Sequence, residues 1–432
     1  MTASAIATRP AGSPVTRWLD RASPVAFTLY GGTAAFCAYF AMYAYRKPFS
    51  AASYGAVAGW HGGLDFKIAL VIAQVAGYAL SKVIGVKLIA EMGQRRRAVT
   101  TIGLILVAWA ALMLFAVLPA PWNVAAMFLN GLPLGLIWGL VFSYVEGRRT
   151  SEVIGAILCA SFILSSGVVK SAGAWLLSLG VSVWWMPAAT GLLFLPLLLI
   201  SVAALAQLPP PNAEDRAART VRAPMDGRQR AAFFAAHAAA LIPLLLAYVL
   251  LTAFRDFRDN FAAEIWRALG FTDVAALVTA SESPAALLSL VTMGLLIVVT
   301  DNRRALLLVH AAFGLGAVMI GGGTMAYQWG VIDPVSWMIL LGVGLYMAYT
   351  PFNAMLFDRM IAATRTVGNA GFLIYIADSC GYGGSIALLL VRNFTAIQLD
   401  WLRFFETATY ATALLCLVGA ALSVRHFTPA PK

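Results

Sequence analysis

Apolar residues in this chain come in long runs rather than in alternation. They can be bracketed at about residues 26–45, 67–86, 99–118, 122–145, 153–177, 184–207, 231–254, 274–300, 303–329, 335–357, 367–391 and 404–425. Each run is close to the roughly 20 residues an α-helix needs to cross the hydrocarbon of a bilayer. Within lipid a helix satisfies its own backbone groups, which an open strand cannot do. The pattern therefore predicts an all-α polytopic membrane protein with twelve transmembrane helices.

Polar residues punctuate the runs unevenly. The longest polar insert, 208–230, holds Pro209, Pro210 and Pro211, the acids Glu214 and Asp215, and five arginines. It separates a first set of six spans (26–207) from a second (231–426), with short polar segments at 1–25 and 427–432. Such a division predicts two six-helix bundles related by an axis along the membrane normal.

Basic residues gather on one side of this layout. Arg17 and Arg21, Arg95 to Arg97, Arg148 and Arg149, the arginines of the insert, Arg303 and Arg304, and Arg425 all fall on the side of the termini. Lys67, Arg267, Arg392 and Arg403 fall on the other. Because short cytoplasmic loops carry the excess of Lys and Arg, both termini are expected in the cytoplasm. A multi-pass protein of a bacterial-type inner (plasma) membrane follows as the expected location.

Composition agrees: 61% of residues are hydrophobic and 11% charged, with a mean hydropathy of +0.82. The net charge of +11 could suggest nucleic acid. Its carriers, however, lie in short loops between spans, so no nucleic-acid partner is expected. Cys37, Cys159, Cys380 and Cys416 sit inside apolar runs and read as packing residues. The four histidines have no ligand spacing, so neither a metal nor another cofactor is expected. No nucleophile or phosphate-loop motif occurs, which disfavours an enzyme.

A few charges lie where apolar runs should exclude them, at roughly 2.5–3.5 kcal/mol or more each in hydrocarbon. Tyr39, Tyr43 and Arg46 are spaced i, i+4, i+7 on one face of the first span. Tyr78 and Lys82 repeat the spacing on the second. Arg255 and Arg258 close the seventh, with Asp256 and Asp259 interleaved, and Lys170 lies inside the fifth. A guanidinium presents a planar fork of donors suited to phosphate or carboxylate oxygens, and tyrosine hydroxyls add neutral donors beside it. A facing Arg46–Arg255 pair with Lys82 would suit a doubly charged phosphate. The competing reading makes Arg46, Lys47, Arg255 and Arg258 snorkelling anchors at helix ends.

These motifs resemble the organophosphate:phosphate antiporter family of the major facilitator superfamily, the glycerol-3-phosphate and hexose-phosphate transporter branch. The likeness rests on Tyr-x3-Tyr-x2-Arg-Lys (39–47), Gly-Tyr-x2-Ser-Lys (77–82) and the arginine closing the seventh span. Arg-Lys-Pro-Phe-Ser (46–50), Glu282 in Ser-Glu-Ser-Pro, Ala370-Gly371-Phe372 and Cys380 to Ser385 extend it. The resemblance implies a major facilitator fold, Arg46 and Arg255 as an anion clamp and Lys82 as a supporting cation. It places Tyr39, Tyr43, Tyr78 and Tyr382 along a cavity and implies rocker-switch exchange of an organic phosphate for inorganic phosphate.

Departures alter that expectation. Ser166, with Lys170 one turn later, stands where the glycerol-3-phosphate branch has a histidine. Arg258 and Asp259 add charges, so the substrate could carry a cationic group as well. Asp378 is a further acid, either a proton site or a partner for Lys170. The loop from Gly85 to Arg97 occupies the place of the superfamily's gate motif but keeps only Glu91 as an acid; Asp301-Asn-Arg-Arg is its counterpart. The expected function is secondary active transport of an organic anion, most readily an organophosphate or phosphonate, with inorganic phosphate or a proton as coupling species. The alternatives are proton-coupled transport of a carboxylate or zwitterion through Asp378 or Glu282, and a non-transporting sensor of a phosphorylated metabolite.

Overall fold

The computed structural model describes the chain except residues 1–12, 91–93, 147, 149, 213, 216–226, 273, 365–369, 395–399 and 428–432. Among the described residues, twelve helices are at least 18 residues long. We number them α1 (Pro24–Tyr43), α2 (Phe66–Ala90), α3 (Gln94–Val117), α4 (Trp122–Val145), α5 (Ser151–Ser178) and α6 (Met186–Ala206). The second set is α7 (Ala238–Asn260), α8 (Val274–Val298), α9 (Asn302–Gln328), α10 (Pro334–Pro351), α11 (Ala370–Phe394) and α12 (Trp401–Phe427). Ten candidate spans in the described residues are long and apolar enough to cross a membrane.

Several helices start where side chains satisfy free amides. Ser23 accepts from the Ala26 amide before Pro24, Asp301 from the Arg304 amide, and Asp333 from the amides of Val335 and Ser336 before Pro334. Proline at the first helical position loses no bond there, and the capping oxygen replaces one the helix cannot supply. Outward faces are apolar: Leu193, Ile200, Leu246, Leu295, Leu315 and Leu414 are all exposed. On a chain this hydrophobic such a surface is a lipid-facing belt.

Packing repeats between the halves. In the first, α1 packs on α5 and α6, α2 on α4, and α3 on α4 and α6. In the second, α7 packs on α11 and α12, α8 on α10, and α9 on α10 and α12. Exchanging the halves maps each pairing onto its counterpart. It also maps the two seams between the halves, α5–α8 and α2–α11, onto each other. The duplication expected from the polar insert is thus a duplication of contacts.

Close approach of backbones makes the bundle rigid. A Cβ on Gly131 of α4 would lie 2.1 Å from the Gln74 carbonyl of α2. Across the α5–α8 seam, one on Gly167 would lie 3.0 Å from the Thr279 Cα. Small residues at such crossings bring membrane helices together where no hydrophobic drive operates.

One sequence expectation needs correction. The tenth span runs on through a π turn (Phe352–Leu356) and a further helix (Phe357–Thr364), beyond the bracket at 357. Trp184 packs against Tyr54, Phe66 and Phe115. Trp122 and Trp329 are exposed at the loop-side ends of their helices, as an anchor should be. Glu91, Arg149, Arg216, Arg219, Arg222 and Arg365 lie outside the described residues.

Candidate functional site

The odd-numbered helices end, and the even-numbered ones begin, at the face opposite the termini; we call it the far face, and the other the terminal face. Charged side chains from both halves converge between these faces.

α1 ends at Tyr43, and the Arg46 and Lys47 amides still bond back to the Tyr43 carbonyl at 3.0 and 2.9 Å. That tight turn keeps Arg46 on the face of Tyr39 and Tyr43, as its spacing predicts. Its guanidinium carbon lies 4.0 Å from the Tyr78 ring centroid and 5.7 Å from that of Tyr43. Tyr39 and Tyr78 share hydroxyls at 3.5 Å, and Tyr78 meets Tyr382 of α11 edge-on at 5.1 Å. Arg46 is 4% exposed, and its buried Nε has no hydrogen-bond partner. Among the described residues no carboxylate pairs with it. An aromatic cage can hold a desolvated cation at about 2 kcal/mol per favourable face, yet it leaves the guanidinium donors unfilled.

Arg255 comes from the opposite half, on α7. It donates to Asp256 at 2.8 Å and stacks over Tyr349 of α10 at 4.4 Å. Asp256 also accepts from Ser385 of α11 at 2.8 Å. Tyr43 and Tyr382 each lie in the fields of both Arg46 and Arg255, so the two guanidiniums share one tyrosine-walled space.

Lys82 points toward the same space from α2, 5.7 Å from the Tyr78 ring and 5.4 Å from that of Trp138. It donates to Asp378 of α11 at 2.9 Å, and Asp378 also accepts from Tyr248 at 2.6 Å. The Tyr248 hydroxyl in turn lies 3.0 Å from that of Tyr349 and bonds Asn353 of the π turn. Irregular helical turns of this kind often mark functional positions.

Toward the far face a second cluster bridges the halves. The Asp259 carboxylate is gripped by Lys47 at 2.5 Å, by Lys170 at 2.7 Å and by the Ser166 hydroxyl. Lys47 also donates to Asn260 at 2.9 Å. Lys67 pairs with Glu264 at 2.6 Å, and Arg267 bonds Ser53 at 2.5 Å. In every one of these contacts one residue belongs to the first half and the other to the second.

The structure redistributes several expected roles. Asp378 partners Lys82, not Lys170, because α2 and α11 share a seam whereas Lys170 on α5 faces the end of α7. Arg258 does not join Arg255. Three residues along a helix rotate a side chain by about 60°, and this turns Arg258 inward to Glu282 of α8 and the Met338 carbonyl of α10. It is 2% exposed. Lys47 is a buried bridge, not a snorkelling anchor. Two residues escaped sequence reasoning: Tyr349 under Arg255, and Trp138 beside Lys82. The Tyr346–Tyr349 pair at i, i+3 was the available signal for the first, a tyrosine repeat like that of α1.

Solved structures similar to this chain include the human organic anion transporter MFSD10 (TETRAN), at 13% identity over 95% of this chain and 100% of that one, with a TM-score of 0.57. A D-xylose–proton symporter matches at 12% identity over 94% and 98%, with a TM-score of 0.56. A bacterial homologue of the human drug peptide transporters PepT1 and PepT2 matches at 12% identity over 93% and 100%, with a TM-score of 0.59. These likenesses, with the two contact-equivalent halves, define the class: a multi-pass membrane protein of the major facilitator fold. At such identities they speak to the fold alone. No curated protein matches the sequence. The chain belongs to a family described as being of unknown function, DUF5690, which it matches over residues 48–429. Arg46 lies just before the matched segment.

Proposed function

We propose that the chain is a secondary active transporter of an organic anion, an organophosphate or phosphonate, working by alternating access. One observation carries the reading: Arg46, buried among tyrosines, keeps a cation between the halves that no described carboxylate neutralises. An uncompensated charge in low dielectric is costly, so an anion entering from water gains by pairing with it. Arg255 lies across the same space, held by Asp256 and Tyr349, so that an anion bound by Arg46 meets donors from both halves.

Contact with both halves lets a ligand draw them together, which is how rocking of two bundles gives alternate access. The unfilled charge on Arg46 opposes closure of the empty site and so favours exchange over leak. The resemblance to organophosphate antiporters supports a phosphorylated solute exchanged for inorganic phosphate across a bacterial-type inner membrane. Asp378, held between Lys82 of one half and Tyr248 of the other, supports a second reading. There, a proton on that carboxylate drives movement of a carboxylate or zwitterion.

Purified protein should gain thermal stability with organophosphates, phosphonates or inorganic phosphate, and Arg46→Ala should abolish the gain. Stabilisation that survives loss of Arg46 would remove the site from consideration. Uptake that rises steeply with acid pH, with no phosphate counterflow from loaded vesicles, would decide for proton coupling.

A further inference from the structure

Three cations face the tyrosine-walled space, but two of them already have carboxylates. Asp256 takes Arg255, with Ser385 holding its second oxygen. Asp378 takes Lys82, with Tyr248 holding its second oxygen. Only Arg46 remains. The Lys47–Asp259–Lys170 cluster also carries a surplus cation, yet both ammonium groups bind Asp259 at the far-face closure. Arg258 is matched by Glu282 inside the second half.

We infer that the central site is built for an oxyanion with a single negative charge, as in a phosphodiester, and that Asp378 sets this limit by neutralising Lys82. The inference rests on the transport reading above and narrows it. Sequence spacing alone pointed to three cations and a doubly charged phosphate; the interleaved acids lower the surplus to one. A dianion would bring a second charge where the described residues offer no second unneutralised cation, at the desolvation cost of an unpaired buried ion. Asp378 is a specificity residue acting through Lys82, because its carboxylate faces that ammonium and not the open donors of Arg46.

Charge state separates the two cases experimentally. A phosphomonoester changes from monoanion to dianion with a second pKa of about 6, whereas a diester stays singly charged. The groups facing the Lys82–Asp378 pair are Tyr78 of α2, Cys159 of α5, Tyr248 of α7, Tyr349 of α10 and Tyr382 of α11. Their ordinary pKa values of about 8.5–10 lie above the range to be scanned.

Methyl phosphate and dimethyl phosphate are titrated against the full-length protein in detergent from pH 5 to pH 7.5, with thermal shift as the readout. Methyl phosphate should bind about 30-fold more weakly at pH 7.5 than at pH 5, following its monoanion fraction at a pKa of about 6. Dimethyl phosphate should not change. Asp378→Asn removes the carboxylate that neutralises Lys82 and should reverse the methyl phosphate trend. The Lys82→Gln/Asp378→Asn pair restores the original charge and should restore the original trend.

Methyl phosphate binding that strengthens with pH in the unaltered protein overturns the inference and leaves the transport reading standing. So does a trend in Asp378→Asn that matches the unaltered protein. Should neither ester bind at any pH, the phosphate reading falls and this inference with it. The unaltered protein tests the idea alone if Asp378→Asn does not fold.

Discussion

Arg46 and Arg258 carry the same guanidinium at almost the same burial, and differ in company. Arg258 has Glu282 and a backbone carbonyl; Arg46 has aromatic rings and, among the described residues, no carboxylate. Their substitutions should therefore part ways. Arg46→Ala should abolish anion-induced stabilisation at the ligand concentrations that stabilise the unaltered protein, a loss of at least about 10- to 100-fold in affinity, the range of a hydrogen bond to a charged group. Arg46→Lys should recover little, because the fork and the ring stacking go with the guanidinium. Glu282→Gln strands Arg258 and should cost about 3–5 kcal/mol, seen as a fall in melting temperature with the ligand dependence unchanged. A melting point unmoved by Glu282→Gln would show that Arg258 is not structural.

What the sequence revealed at this scale was local. Tyr39, Tyr43 and Arg46 could be grouped because helical spacing groups them, and so could Tyr78 and Lys82. Which acid met which base was hidden, since Lys82 and Asp378 are 296 positions apart, and Lys170 and Asp259 are 89 apart. Those pairings follow from which helices the fold brings face to face. No periodicity along one helix encodes that.

Among elements, runs of about twenty apolar residues located the spans well, because the length is imposed by the bilayer. Their ends were less legible. Asp358 and Arg359 broke the apolar run of the tenth span, yet the helix continues to Thr364, with Arg359 bonding Asn302 and Glu152. Gly131 and Gly135 of α4 lie against α2, and that crossing carries Tyr78 and Lys82. Gly131→Ala places a methyl group against the Gln74 carbonyl and should cost at least about 1–3 kcal/mol. Gly103→Ala, with open space around it, should be neutral. Equal melting temperatures for the two variants would mean that the helices can part without strain.

For the whole molecule, the question is whether the halves move. Lys67 and Glu264 lie 2.6 Å apart across the far face, one on each half. In a background lacking the exposed Cys380, a Lys67→Cys/Glu264→Cys pair should be bridged by a short bis-methanethiosulfonate reagent that arrests solute exchange in proteoliposomes, and a reductant should restore it. Exchange that proceeds at full rate through the cross-link would exclude alternating access at this face.

Among the described residues, the two faces are fastened unequally. At the far face Lys47, Lys170, Asp259 and Lys67 are shielded from water, whereas the terminal-face bridge of Arg359 to Glu152 leaves the Glu152 side chain 47% exposed. Dissolved ions weaken wet pairs and scarcely touch dry ones. Ionic strength thus becomes a one-sided lever: salt in the compartment bathing the termini loosens that latch while the opposite seal stays tight.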